Sequence, residues 1–169
     1  MINVRPEKPE DAQAIRTVHE QAFGQAAEAD LVDALRRNDK APVSLVAEEN
    51  GSIIGHILFS PVTVESGGLE LTGVGLAPVA VLPDRQNRGV GALLVEQGLD
   101  RSRDAGIPFA VVLGHARYYP RFGFMPASRF GIRSEYEVAD ENFMAMELRQ
   151  GALRNRAGIA RYQPEFNAV

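Results

Sequence analysis

The sequence predicts an α/β fold, a mixed central sheet flanked by helices. Three observations carry that expectation. Two apolar stripes at helical spacing come early. Short alternating or wholly apolar runs follow them. One strand–glycine loop–helix stretch, Leu76 to Leu94, sits mid-chain. At 169 residues the chain suits one domain with a single core, here taken as 1–169. Hydrophobic residues make up 45%, which predicts a globular rather than a disordered chain.

Taken in order, Ile2 to Arg5 alternates as a first strand, stopped by Pro6 and Pro9. Ala14, Ile15, Val18, Ala22 and Phe23 recur at helical spacing, so Asp11 to Phe23 is read as a helix, with acidic residues in its first turn. Leu31, Val32 and Leu35 are the stripe of a second helix, Ala26 to Arg37. Ser44 to Glu49 and Ile53 to Val64 are strands joined at Asn50-Gly51, a strong hairpin signal. Gly55 marks a bulge, and Pro61 argues against a regular interior position. Glu70 to Leu82 is the third strand of a meander, expected to be broken by Gly73, Gly75 and Pro78. A helix follows from Gly89 to Ala105, with Val90, Leu93, Leu94 and Gly98 toward the sheet. Phe109 to Leu113 reads as a central strand buried on both faces, and Phe143 to Leu148 as a later strand. Residues 150–169 have no readable period, though Pro164-Glu165-Phe166 predicts that the end packs.

Composition excludes several classes. A net charge of −4 offers no global field for nucleic acid, so an anion site must be local. With no cysteine there is no disulfide, thiolate metal site or cysteine nucleophile. His19, His56 and His115 lie far apart without metal-ligand spacing, so no metal is expected. No run of about 18 apolar residues and no signal-peptide pattern are present, and the expectation is a soluble cytoplasmic protein without a membrane partner.

Between Leu76 and Leu94 an apolar run ends at Leu82, breaks at Pro83, crosses Asp84 to Arg88 and reaches Gly89-Val90-Gly91. That order aims unpaired N–H groups and a positive dipole end at an anion, with Arg85 and Arg88 placed to add charge. Glycines used only for packing would give the same short motif. The wording around them is more specific. Gln86-Asn87-Arg88-Gly89-Val90-Gly91 fits Q/R-x-x-G-x-G/A after a V-x-V-x-P strand. This resembles the acetyl-CoA-binding signature of the GNAT superfamily of N-acyltransferases. Tyr119-Pro120-Arg121-Phe122-Gly123-Phe124 resembles its Y-x-x-x-G-F pattern, in the matching place after the next strand. The doublet in GHARYYPRFGF, together with Phe23, Glu28, Leu31, Val32, Leu35 and Arg36, is similar to the YhbS-like subgroup.

The resemblance, which runs from Ile2 to about Leu148, implies a single-domain GNAT-like fold and a direct transfer of acetyl from acetyl-CoA to a primary amine. It implies no metal and no covalent enzyme intermediate. It places CoA on Val79, Ala80 and Val81 of the strand and on Arg85, Gln86, Asn87, Arg88, Gly89, Val90, Gly91 and Ala92 of the loop and helix start. It puts the oxyanion donor near Ala80 or Val81 and makes Tyr119 the proton donor to the leaving thiolate. Phe122 and Phe124 are expected in the core, Tyr118 in packing or substrate contact, and His56 in a structural role. His115 is a lesser candidate base, and Glu28 is read as complementing its helix dipole. A CoA- or acyl-carrier-binding sensor on the same fold stands as the alternative. A nucleotide-binding domain does not, because neither G-x-x-x-x-G-K-[ST] nor G-x-G-x-x-G is present. The acceptor, the acyl chain, the general base and the choice of monomer or homodimer stay open.

Overall fold

The computed structural model describes residues 1–169. They gather into two compact units interleaved along the chain. One comprises Met1–Ser60, Ala77–Gly98 and Pro164–Val169, the other Pro61–Leu76 and Leu99–Gln163.

In the first unit, β1 (Ile2–Pro6), β2 (Val43–Glu49) and the opening half of β3 (Ser52–Ser66) run antiparallel, with the end of β4 (Leu69–Val81) beside β3. Asn50 and Gly51 have φ of 52° and 81°, the left-handed pair that a two-residue hairpin turn demands. The β2–β3 register shifts between Ala47↔Gly55 and Glu48↔Ile53, which leaves Ile54 as the extra residue of a bulge next to Gly55. α1 (Ala12–Phe23) and α2 (Ala27–Arg37) cover one face, where Ile15, Leu31, Val32 and Leu35 pack with Val46 and Leu58. Asp11, expected as the first helical residue, instead precedes α1. Its carboxylate accepts Lys8 N at 2.7 Å and Arg5 Nη1 at 2.8 Å, which pins the strand end to the helix start.

α3 (Val90–Asp104) begins against the opposite face, since side chains alternate along β3. A Cβ on Gly55 would lie 3.1 Å from Leu94 Cδ1 and 3.3 Å from Val90 Cγ1, and one on Gly98 would overlap the Phe59 ring. Small residues therefore set how closely this helix approaches the strand. Leu93 is only half-buried, whereas Val95 joins Val90 and Leu94 as a buried residue. Phe166, in the turn Pro164–Ala168, packs on the α1–α2 cluster, as its sequence predicts.

In the second unit, β4, β5 (Phe109–Leu113), β8 (Phe143–Glu147) and β6 (Met125–Pro126) stand in that order. The β4–β5 pair is parallel and the others antiparallel, so the sheet is mixed. β9 (Gly158–Arg161) pairs with the closing half of β3, and β7 (Ile132–Ser134) lies parallel to β9. Pro61 falls between the last β2 pairing, at Phe59, and the first β9 pairing, at Thr63, where a missing N–H costs little. β5 is buried from Phe109 to Val112, as expected of a central strand.

The expected breaks in β4 are corrected. Gly73, Gly75 and Pro78 do not break β4, which runs unbroken from Leu69 to Val81. The glycines are instead sites of close approach. A Cβ on Gly73 would lie 2.7 Å from Phe109 Cδ1, and one on Gly75 would lie 2.7 Å from Val62 Cγ2 and 2.8 Å from Tyr162 Cε2. Residues 150–169, unreadable by period, hold β9 and the closing turn. No helix is long and apolar enough to cross a membrane.

Candidate functional site

The strand–loop–helix stretch lies in the first unit. The first intrahelical bond of α3 is Leu93 N to Gly89 O, 3.0 Å, so the N–H groups of Val90, Gly91 and Ala92 have no partner within the helix. Asn87 and Gly89 take φ of 62° and 85°, curling the loop so that the helix end is bared. A Cβ built on Gly89 would meet nothing within 4 Å, so the approach to those amides is open. Bare amides at a positive dipole end suit a phosphate-bearing ligand. Gln86 Nε2 donates to Val81 O at 3.0 Å and ties the loop to the strand.

The strand offers a second set of backbone groups. Leu82 N donates to Ile54 O at 2.9 Å, so by two-residue alternation Ala80 also turns its amide toward β3, while Val79 and Val81 face the other edge. On that edge β4 pairs with β5 only at Val74 and Gly75. Of the two residues named for the oxyanion donor, Ala80 is therefore already directed at β3, and Val81 faces the unpaired side.

The expected charge is rearranged. Arg85 is not free for an anion, because its Nε donates to Glu49 Oε1 at 2.8 Å and its Nη1 to Asp84 Oδ2 at 3.0 Å. Glu49 is far from Arg85 in sequence, and no local pattern reveals the pairing. Arg88 is exposed and pairs with no carboxylate.

Tyr119 lies in the second unit, in the short helical turn Tyr119–Phe122 that Gly123 closes at φ 107°. It is 8% exposed, its ring at edge geometry to Tyr118 (5.0 Å) and Phe124 (5.9 Å). A side chain on Gly114 would collide with this ring. No protein group hydrogen-bonds the Tyr119 hydroxyl, and burial, then Tyr118, pushes its pKa up to about 12. Tyr118 packs edge-on to Phe122 and carries the Arg121 guanidinium 4.4 Å over its face. Phe124 is buried, but Phe122 is only half-buried, a partial correction to the expected core pair. His115 is exposed, and its carbonyl accepts Tyr118 N at 3.0 Å. Glu28, in the first turn of α2, accepts Gln25 Nε2 at 3.0 Å.

The contact between His19 and His56 was not foreseen from the sequence. His19 of α1 and His56 of β3 are both fully buried, with His19 Nε2 2.8 Å from His56 Nδ1. His56 Nε2 lies 2.8 Å from Ser44 Oγ and 3.4 Å from Glu7 Oε1. Glu7 also accepts the Ser44 hydroxyl and, at 2.6 Å, Arg36 Nε. Burial raises the Glu7 pKa, but hydrogen bonds from His56, Arg36 and Ser44 outweigh it and bring it to about 2. Burial, then the neighbouring His56 and Arg36, lowers the His19 pKa to about 3, and burial also lowers that of His56. His56 is structural in the sense expected, but its partner is 37 residues away and carried no signal. No three carboxylate, histidine or cysteine side chains are grouped to hold a metal ion.

Residues 3–127 match the family model described as an acetyltransferase (GNAT) domain. The N-acetyltransferase YhbS of Escherichia coli strain K12, itself uncharacterized, is 35% identical over 165 residues, 97% of this chain and 98% of that protein. YjhQ of the same strain is 41% identical over 135 residues, 78% of this chain and 75% of that protein. The crystal structure of E. coli YhbS in complex with CoA superposes with a TM-score of 0.91 at 34% identity, covering 98% of this chain and 92% of that one. A GNAT family acetyltransferase from Brucella melitensis in complex with acetyl-CoA gives 0.81 at 37% identity, covering 98% of each.

Proposed function

We propose, from the premise that this chain belongs to the GNAT acetyltransferase family, that it moves an acetyl group from acetyl-CoA directly to a primary amine. The whole chain acts as one N-acetyltransferase domain in the cytoplasm. The bared start of α3 carries the reading. Val90, Gly91 and Ala92 offer unpartnered amides behind an open, left-handed Gly89. Relatives of matching fold are solved with CoA and with acetyl-CoA.

In this reading the loop from Arg85 to Ala92 holds the pyrophosphate through its backbone. Arg88 supplies side-chain charge, and Arg85, committed to Glu49, braces the loop. Val79, Ala80 and Val81 line the acyl arm, and the Val81 amide, facing the unpaired edge, is the oxyanion donor. Such a donor is worth about 2.7–4 kcal/mol. The amine nitrogen attacks the thioester carbonyl, the C–S bond breaks, and the amine proton leaves through water.

Tyr119 serves the sulfur. Its pKa near 12 lies above the ~8.5 of an ordinary thiol, so the phenol stabilises the departing thiolate chiefly as a hydrogen-bond donor. Its unpartnered hydroxyl favours catalysis over packing. The test is free-thiol release from acetyl-CoA with a panel of primary amines. Amine-dependent release above background hydrolysis is expected. Tight CoA binding without turnover on any amine would convert the reading to a CoA-binding sensor.

A further inference from the structure

A cavity of about 240 Å³ opens in the second unit between β7 and the start of β8. Buried Ile132 and Phe143 give it an apolar lining, and Tyr136 forms a further wall. A cavity of about 150 Å³ is enough for a benzene ring, so this one admits a ring or a short alkyl chain with a polar end. The exposed rim carries two carboxylates, Glu137 and Asp140, against one guanidinium, Arg133. The adjacent Glu135 is committed, accepting Tyr162 N at 2.8 Å and pairing with Arg161. Neither Glu137 nor Asp140 forms an ion pair within the protein, so the rim holds a surplus of negative charge.

Two sets of contacts place the cavity beside the reacting groups. On one side, Phe143 pairs with Leu113 at the end of β5, and Asn142 clamps the next residue, Gly114. Gly114 N donates to Asn142 O at 2.9 Å, and Asn142 Nδ2 donates to Gly114 O at 3.0 Å. The Tyr119 ring rests on Gly114, where a Cβ would collide with it. On the other side, the Tyr136 ring lies 5.8 Å from that of Tyr162, and Tyr162 packs over Gly75. Gly75 is the last β4 residue paired with β5. The unpaired edge of β4, which the acyl-transfer reading gives to the thioester, begins there.

We propose that this cavity is the acceptor subsite and that its substrate is a small diamine, an apolar body with a primary amine at one end and a second cationic nitrogen at the other. Ile132, Tyr136 and Phe143 take the apolar body. Glu137 and Asp140 hold the second cation, and the reacting amine is directed toward Tyr119. The inference rests on the acyl-transfer reading above and names the substrate class of that site. At neutral pH both nitrogens start protonated, since an alkylamine such as lysine has a pKa of about 10.4. The reacting nitrogen loses one proton to water before it attacks and a second as the amide forms. The N–C bond forms, the C–S bond breaks, and sulfur leaves as the thiolate. The second nitrogen keeps its charge throughout. A carboxylate in its place would face two like charges for one opposite.

The test pairs kinetics with binding. Thiol release from acetyl-CoA is followed with 1,6-diaminohexane and with hexylamine, which share a chain and differ by the second nitrogen. kcat/KM should favour the diamine by about 3- to 10-fold at low salt, as two exposed ion pairs allow, and the margin should shrink as salt rises. Glu137→Gln with Asp140→Asn should erase the margin by raising the diamine KM, with hexylamine and acetyl-CoA KM within about twofold. For binding, the chain has no tryptophan, so Val138→Trp on the exposed rim is a lone fluorescent reporter. It should respond to 1,6-diaminohexane in the CoA-saturated protein, and the two amide substitutions should weaken that response. A diamine margin that persists in the double variant overturns the proposal, as does a silent reporter while the diamine is turned over. A preference for 6-aminohexanoate overturns the substrate class and gives the rim to Arg133. A wild type that acetylates other primary amines but neither of these also overturns it. A wild type that turns over no amine at all instead sinks the acyl-transfer reading and this proposal with it.

Discussion

Lowering the pH should weaken this fold earlier than carboxylate titration alone would do, because two neutral imidazoles are sealed in its core. His19 has a pKa of about 3 when folded against 6.5 in the open chain. Below pH 6.5 the unfolded chain binds a proton that the folded chain refuses. Stability is therefore full above pH 6.5 and drains away as pH falls toward 3. Each unit in that window costs about 1.36 kcal/mol for one group, so His19 alone removes about 2 kcal/mol between pH 6.5 and pH 5. His56, lowered in the same direction by burial, adds to it. Glu7 acts later, since its stabilising ionisation is lost only between its ordinary 4.5 and its folded value of about 2. For a domain of this size a 2 kcal/mol loss lowers Tm by roughly 4–8 °C. Urea and thermal unfolding at pH 7.5, 6.5, 5.5 and 5.0 would measure it, beside the double variant His19→Phe with His56→Phe. The double variant should show a much flatter profile over the same range. A wild-type stability that stays level or rises from pH 7 to pH 5 would refute the reasoning. It would mean that one ring is an imidazolium paired with Glu7.

Tyr119→Phe should leave Tm within about 2 °C, because the hydroxyl has no protein partner, and should lower kcat by about 10- to 100-fold with acetyl-CoA KM little changed. Full activity would remove Tyr119 from the chemistry. Gly89→Asp sets a side chain and a negative charge on a residue of φ 85° beside the bare amides. CoA affinity by calorimetry should fall at least about tenfold, and an unchanged affinity in a folded variant would remove the loop from the argument. Arg88→Ala should weaken CoA roughly three- to tenfold at low salt and flatten the salt dependence. Arg85→Ala, already paired with Glu49, should act less on affinity than on loop order. Gly98→Ala presses a methyl into the Phe59 ring and should cost about 1–3 kcal/mol in urea unfolding, with no loss if α3 shifts freely.

What could be read from the chain alone was what neighbours in sequence decide. The hairpin at Asn50-Gly51 and the strand, loop and bare helix start around Gly89 depend on the torsions and hydrogen bonds of adjacent residues, so they leave short patterns. Tertiary structure decided the rest. Gly73 and Gly75 read as breaks until Phe109, Val62 and Tyr162 are seen to crowd them, because a glycine looks the same whether it bends a strand or admits a neighbour. Arg85 looked free until β2 brought Glu49 to it. His19 and His56, 37 residues apart, gave no hint of contact, and only the packing of α1 on β3 makes them one unit with an unpartnered ring nitrogen. Polar pairs like these have no period and no fixed spacing. They exist only once the apolar faces of helix and sheet have closed and shut water out.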